Sequence, residues 1–269
     1  MTTPEDVEAP PRTRLYVTDA LAAGATLTLD DRAAHYLRTV LRLDVGADVA
    51  LFNGRDGEWR ARISAAAKRA TTVALMAQTR PQTQEPDVWL LFAPVKRARI
   101  DLIVEKATEL GVTRLLPVLT RRTIVTRVNV ARLAATAIEA AEQCERLSVP
   151  AVDDPAPLDA VLARWPAGRR LLVGDEGGGG VPLRAAASAV GAAPWALLVG
   201  PEGGFEPGEL DALRQFQFVT RVGLGPRVLR ADTAVTAALA VVQSSIGDWS
   251  LPRGAEPMTV SPTTIPCKP

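Results

Sequence analysis

The chain has 269 residues, 47% of them hydrophobic and 23% charged, with a formal net charge of +1. That length suits two unequal domains of ~100–150 residues, and ordinary globular usage excludes a disordered, collagen-like or coiled-coil protein. No apolar run approaches the ~20 residues needed to span a bilayer, and the opening MTTPEDVEAPPRTRLYV is acidic and proline-rich where a secretion signal is basic and then apolar. The expectation is a cytoplasmic protein.

Cys144 and Cys267 are the two cysteines and His35 the single histidine. This excludes zinc-finger spacing, a multi-histidine metal site and any Ser-His or Cys-His machinery that needs more than one imidazole. Cys144 reads as a small core hydrophobe, with a nucleophile as the alternative because a charged motif surrounds it. His35 reads as a partly buried helix residue. Charge is uneven: residues 12–80 carry 11 basic and 7 acidic side chains, 86–150 carry 10 and 7, and 151–269 carry 10 and 12. Only Lys68, Lys96, Lys106 and Lys268 among the 31 basic residues are lysines. Arginine offers a fork for phosphate and a face for bases, which is compatible with RNA contact, although a GC-rich genome produces the same bias.

In chain order, residues 1–11 read as a disordered leader and 12–80 as a small barrel of five strands: RLYV, ATLTL, DVALFN, GEWRARI and TTVALMA, punctuated by Gly24, Gly46, Gly54 and Gly57. A helix over DRAAHYLRTVLRL interrupts them, with His35, Arg38 and Arg42 on one face. PQTQEPD at 81–87 reads as a linker. From Val88 the pattern alternates buried strand and amphipathic helix: VWLLFAPV, then ARIDLIVEKATELG ending at Gly111, TRLLPVL, then a helix opened by Asn129. RRLLVG, VPLRAAASAV, WALLVG, a helix from about Pro207 to Phe216, VTRVGLG and a last helix through ADTAVTAALAVVQSSIG complete it. The order predicts a mainly parallel sheet covered on both faces over 88–250. Residues 251–269 read as a flexible tail.

Two segments look alike, LLVGDEGGGG at 171–180 and LLVGPEGGFE at 197–206, each a strand entering a glycine-rich turn. In the second, three glycines within five residues let backbone approach a ligand, and Pro207 suits the first turn of a helix. Twenty residues on, VGLGPRVLRADTA breaks a strand at Gly223 and Gly225 before a helix that Asp232 or Thr233 can cap. Two such strand ends can flank one crevice at the carboxyl edge of a parallel sheet. Neither turn is GxGxxG or GxxxxGK[ST], so the fingerprints of a dinucleotide or P-loop site are absent.

GPEGGF followed by Glu206, with LGPRVLR and a following Asp-Thr-Ala, resembles the paired signature of the SPOUT RNA methyltransferases that modify N3 of a uridine in 16S ribosomal RNA. RLYV, VLR after the histidine, EKATELGV, PVLTRR and AAEQCERLSVP extend the likeness over about 14–247. The resemblance implies an α/β fold: an N-terminal PUA-like β-barrel and a C-terminal SPOUT α/β domain with a deep trefoil knot. It further implies S-adenosyl-L-methionine as cofactor, a homodimer, and 16S ribosomal RNA, within the small ribosomal subunit, as partner. The cofactor would lie against Gly200, Glu202, Gly203, Gly204, Leu224, Gly225, Val228, Leu229, Thr233 and Ala234, without a metal. Arg230 is the expected stabiliser of a uracil anion and Glu142 the candidate proton acceptor, with solvent as the alternative. Arg14, Arg38, Arg42, Arg97, Arg121, Arg122, Gln143 and Arg146 are the expected RNA contacts. GDEGGGG at 174–180 departs from the resemblance by its excess of glycine.

Overall fold

A computed structural model of the chain describes residues 11, 13–67, 70–125, 127–191 and 193–250. The leader, Pro11 aside, and the tail with Cys267 lie outside the described residues. The order is β1 (Arg14–Tyr16), β2 (Thr26–Leu29), α1 (Asp31–His35) running into a π turn (Tyr36–Val40), β3 (Asp48–Phe52), β4 (Glu58–Ala67) and β5 (Ala70–Arg80). Then come β6 (Val88–Phe92), α2 (Arg97–Glu109), β7 (Arg114–Leu119), α3 (Val130–Gln143), β8 (Ala151–Val152), β9 (Ala156–Pro157) and α4 (Leu158–Leu162). The chain continues through β10 (Arg170–Gly174), β11 (Val181–Pro182), α5 (Leu183–Val190), β12 (Trp195–Val199), α6 (Pro207–Arg214), β13 (Val219–Gly223) and α7 (Ala231–Ile246).

The first five strands form one sheet in the order β1-β3-β4-β5-β2. Register shifts between β4 and β5 at Glu58/Trp59, Arg60/Ala61 and Ile63/Ala65 bend the long hairpin, since each extra residue kinks and twists its strand. The sheet curls around Leu15, Leu37, Leu51, Ile63, Val73 and Leu75. The helix read over 31–43 is shorter than its pattern: it widens into the π turn and ends, and Arg42 adopts a left-handed φ of 55°. Arg42 is therefore outside the helix, and the shared face with His35 and Arg38 does not form. His35 is exposed, its Nδ1 3.3 Å from Thr39 Oγ1, which corrects the expectation of partial burial.

The second sheet runs β11-β13-β10-β12-β6-β7-β8, with every pair parallel and β9 also on β7. Its central strands are apolar throughout because both faces are covered. Alternate residues still part cleanly: Val88, Leu90 and Phe92 join the core under α2, α3, α5 and α7, whereas Trp89 and Leu91 face the core that holds Leu158, Leu162 and Leu213 from α4 and α6. Asn129 caps α3 through Arg132 N, and Gly111 turns the chain after α2 at φ 81°. α7 departs from expectation, for Arg230 occupies its N-cap and Asp232 and Thr233 fall inside the first turn.

β13 lies between β10 and β11, which are consecutive in the chain. The loop 175–180 that joins them must therefore cross β13. It does so at Val222, where Asp175 N donates to Val222 O at 2.9 Å. A Cβ on Gly180 would stand 2.6–2.8 Å from the backbone N, Cα and C of Val222. Gly180 is thus required sterically, and Gly178, at φ 77°, by its backbone conformation. Asp175, buried, ties the loop down: Oδ1 accepts from Gly177 N, Oδ2 from Gly179 N, and the carboxylate pairs with Arg221 of β13.

The two sheets meet through a buried arginine. Arg14 Nε donates to Glu58 Oε2 at 2.7 Å, and its Nη atoms donate to the carbonyls of Ala141, Glu142 and Arg146 at the end of α3. Segment 81–87 is likewise pinned rather than loose, Glu85 pairing with Arg146 and Asp87 with Arg169. Arg14→Ala is expected to destabilise the protein by about 3 kcal/mol, because it leaves Glu58 buried without its main partner. Urea unfolding should show a lower midpoint with an unchanged slope.

Candidate cofactor crevice

Three adjacent parallel strands, β13, β10 and β12, end side by side, and the crevice lies at their carboxyl edge. It has a volume of about 240 Å³. Its walls are the turn after β10 (Gly174–Gly178), the turn after β12 (Gly200, Pro201, Glu202, Gly204) and the loop after β13 (Leu224–Leu229), with Ala231 and Ala234 of α7 as the floor. Much of this lining is glycine and alanine, so backbone can reach a ligand closely.

The turn after β12 is built for close packing. Gly204 N donates to Pro201 O at 2.9 Å, and Gly204 takes a φ of 67°. A Cβ on Gly200 would meet the Phe205 ring at 2.9–3.2 Å, so the buried Phe205 props the strand end. The N-cap Glu206 and Glu209 form a reciprocal capping box that starts α6 with Pro207 in its first turn. From the loop after β7, Arg121 N donates to Glu209 Oε1 at 2.8 Å and Arg122 Nη1 to Gly203 O at 2.9 Å, so both exposed arginines sit over this turn.

Of the residues expected around a cofactor, Gly200, Glu202, Gly204, Leu224, Gly225, Val228, Leu229 and Ala234 line the crevice. Leu224 and Leu229 also rest on the core, whereas Val228 is 80% exposed. Gly203 and Thr233 do not line it: Gly203 faces Arg122, and Thr233 is exposed on α7. Arg230 does not line it either, being the exposed N-cap of α7; the basic side chain in the lining is Arg227. The turn 174–178 and Arg227 stand outside the expected cofactor set and line the crevice. The likeness of LLVGDEGGGG to LLVGPEGGFE was the signal for the first.

Glu142 lines a different hollow, between β1, α1 and α3, together with Tyr16, Asp30, Arg32, His35, Glu139 and Gln143. Its Oε1 accepts from Tyr16 N at 2.9 Å. Burial pushes its carboxyl above the ordinary range, against the Tyr16 N–H and the Arg32 charge, which pull it down. It is thus a carboxyl of the seam and is withdrawn as the proton acceptor of the crevice. A raised native pKa means stability that is present below the unfolded value and lost as pH rises through the folded one. Glu142→Gln is therefore expected to gain thermal stability over the parent chain at pH 7, with the gain vanishing in acid below the ordinary carboxylate range.

Among the expected RNA contacts, Arg14 and Arg146 are corrected. Arg14 spends its donors at the seam. Arg146 is 9% exposed and bonds Glu85, Ser148 and the carbonyls of Thr108 and Val112. Arg146 has no donor left for phosphate, and Arg14, its side chain 8% exposed, has four of its five N–H groups committed to the seam. Arg38 is half-buried, Arg42, Arg121, Arg122 and Gln143 are exposed, and Arg97 opens α2. Cys144 is half-buried at the end of α3, and burial raises its thiol above the usual range, the opposite of an activated nucleophile. No cluster of three metal-ligating side chains occurs among the described residues.

Residues 82–243 match the model of an RNA methyltransferase domain, and residues 29–75 that of an RNA methyltransferase PUA domain. The chain belongs to this RNA methyltransferase family. It is 32% identical to the ribosomal RNA small subunit methyltransferase E of Rickettsia conorii, over 86% of this chain and 94% of that one. The Mycobacterium bovis enzyme of the same name is 30% identical, over 87% and 93%. Among solved structures, the Neisseria gonorrhoeae ribosomal RNA small subunit methyltransferase E bound to S-adenosyl methionine superposes with a TM-score of 0.81 at 28% identity, covering 88% of this chain and 99% of that one. A Legionella pneumophila methyltransferase in complex with the same cofactor gives 0.79 at 28%, covering 88% and 98%. The curled first sheet is thus the PUA-like barrel of this family, and the parallel sheet is its methyltransferase α/β fold.

Proposed function

We propose that the protein is an S-adenosylmethionine-dependent methyltransferase that modifies N3 of a uridine in 16S ribosomal RNA. The observation that carries this is the glycine-lined crevice at the ends of β10, β12 and β13 in a chain of the RNA methyltransferase family. The residues fit the cofactor: glycine strand ends admit backbone contact, Leu224 and Leu229 offer an apolar wall for adenine, and Glu202 offers an acceptor. When bound, the cofactor supplies an electrophilic methyl group.

The protein's own part is to hold the uracil in line with that methyl group and to stabilise the charge that N3 acquires as its proton leaves. Arg227, in the lining, takes the second task through O2 or O4, and the proton passes to solvent. A uridine within folded RNA must be splayed out to enter. We assign backbone gripping to Arg42 of the barrel and to Arg121 and Arg122 over the crevice, with Arg38, Arg97 and Gln143 as flanking contacts. This divides the labour between an RNA-binding barrel at 12–80 and a catalytic domain at 88–250, and RNA affinity should fall with salt. Titration of the chain with S-adenosylmethionine and with NAD tests the reading. Binding of the first alone supports it; binding of NAD alone points to an oxidoreductase, and binding of neither to a non-catalytic RNA-binding protein.

The crossing of β13 by the loop 175–180 supports the knotted connection that the family resemblance implies. We also propose a homodimer located in the cytoplasm. Ala137, Ala140 and Ala141 of α3 and Ala234 and Ala238 of α7 are buried within the subunit, so these alanines are not available to the interface. Ile124, Val228 and Trp249, 90%, 80% and 53% exposed, are among the large apolar side chains open to it. Light scattering at micromolar concentration should give twice the 28.6 kDa chain mass; a monomer there refutes the dimer. No helix among the described residues is long and apolar enough to cross a membrane.

A further inference from the structure

The loop that crosses β13 does more than close the fold. Its Glu176 reaches over to the neighbouring turn, so that a Cβ placed on Gly204 would stand 1.5 Å from Glu176 Oε1 and 2.7 Å from its Cδ. The carboxylate therefore occupies the space that a side chain at 204 would fill. It lines the crevice, as does Gly204, and it makes no hydrogen bond or ion pair within the described residues. The nearby Asp175 is different, for its oxygens are consumed by Gly177, Gly179 and Arg221. β10 and β12 are adjacent in the sheet, so Glu176 spans the mouth between two strand ends with its acceptor oxygens unspent. A carboxylate so placed seeks O–H or N–H donors on whatever fills the crevice.

We propose that Glu176 is a cofactor-binding residue whose carboxylate accepts hydrogen bonds from the ribose hydroxyls of the adenosyl group, and that Gly204 is a glycine in part to seat it. A vicinal diol presents two donors to two carboxylate oxygens, and an acidic residue near the end of a parallel strand is well placed to meet a ribose. The inference rests on the crevice being the cofactor site. It places this contact in the stretch where the chain departs from the family pattern, the glycine-rich segment 174–180.

The test is calorimetric titration of full-length protein with S-adenosylmethionine and with S-adenosylhomocysteine, which share the ribose but differ in the sulfonium charge. Glu176→Gln is expected to weaken both by about 10- to 100-fold, the scale of a hydrogen bond to a charged group, while the melting temperature without ligand moves by less than about 2 °C. Gly204→Ala should weaken both as well, and should cost less in a Glu176→Ala background, where no carboxylate is displaced. Unchanged affinities for Glu176→Gln overturn the assignment, as does a loss confined to S-adenosylmethionine, which would put the carboxylate at the sulfonium instead. If the parent chain binds neither ligand, the cofactor reading falls and takes this assignment with it; if it binds and Glu176→Gln binds equally well, only this assignment falls.

Discussion

Gly204→Val is expected to abolish binding of S-adenosylmethionine, whereas Gly203→Val, one position earlier, should leave it intact. The contrast follows from backbone and space. Gly204 has a φ of 67°, where a β-branched residue is strained by about 1–3 kcal/mol. Its side chain would also collide with the Glu176 carboxylate, 1.5 Å from the Cβ position. The strain can be relieved only by moving the turn or the loop 175–180, and both are crevice walls. At Gly203 the φ is not left-handed and a Cβ would stand 3.8 Å from Arg122, an ordinary contact. Calorimetry together with thermal melts separates loss of the site from loss of the fold. A folded Gly204→Val protein with parental affinity would remove the turn from the site.

The second large effect is on rate. Arg227→Ala is expected to lower single-turnover methyl transfer by about 100-fold or more, the scale for removing one stabiliser of developing negative charge, with cofactor affinity changed little. Arg230→Ala should lose much less, since Arg230 is exposed at the N-cap of α7 and does not line the crevice. Equal losses, or a larger loss at Arg230, would show that the loop 224–230 closes over bound RNA and brings Arg230 to the base.

The strands and helices that position the crevice were legible because their signals are local. Continuous apolar runs at 88–92, 171–173 and 195–199 are short and flanked by proline or glycine, which reads as strands covered on both faces, and Asn129 and Gly111 bracket their helices by side-chain capping and positive φ. The short elements at 151–162 gave no signal, since β8 and β9 have two residues each and α4 has five. Periodicity is blind at that length. The π turn after His35 was equally hidden, because the pattern of Ala34, Leu37 and Leu41 continues through it. The crossing loop was invisible for a different reason: Gly180 is fixed by a neighbour 42 positions away, Val222, and no local rule announces a steric partner at that distance.

The crevice lining was legible where a motif carries it, side chains such as Leu224 and Leu229 included. Gly200, Gly204 and Gly225, expected there from the motif, line the crevice. Arg14 and Arg146 misled because an arginine looks the same in sequence whether it grips phosphate or caps a helix end internally, and only burial distinguishes the two. Glu142 misled likewise, its helix face turning to the seam with the barrel.

Methylation at N3 of a uridine in 16S ribosomal RNA leaves 3-methyluridine in that RNA. Nucleoside mass spectrometry of that RNA, from cells with and without the gene and from deletion cells carrying the Gly204→Val form, tests it most directly. 3-Methyluridine is expected to disappear on deletion, to return with the parent gene and to stay absent with Gly204→Val. Unchanged 3-methyluridine in the deletion strain would contradict it.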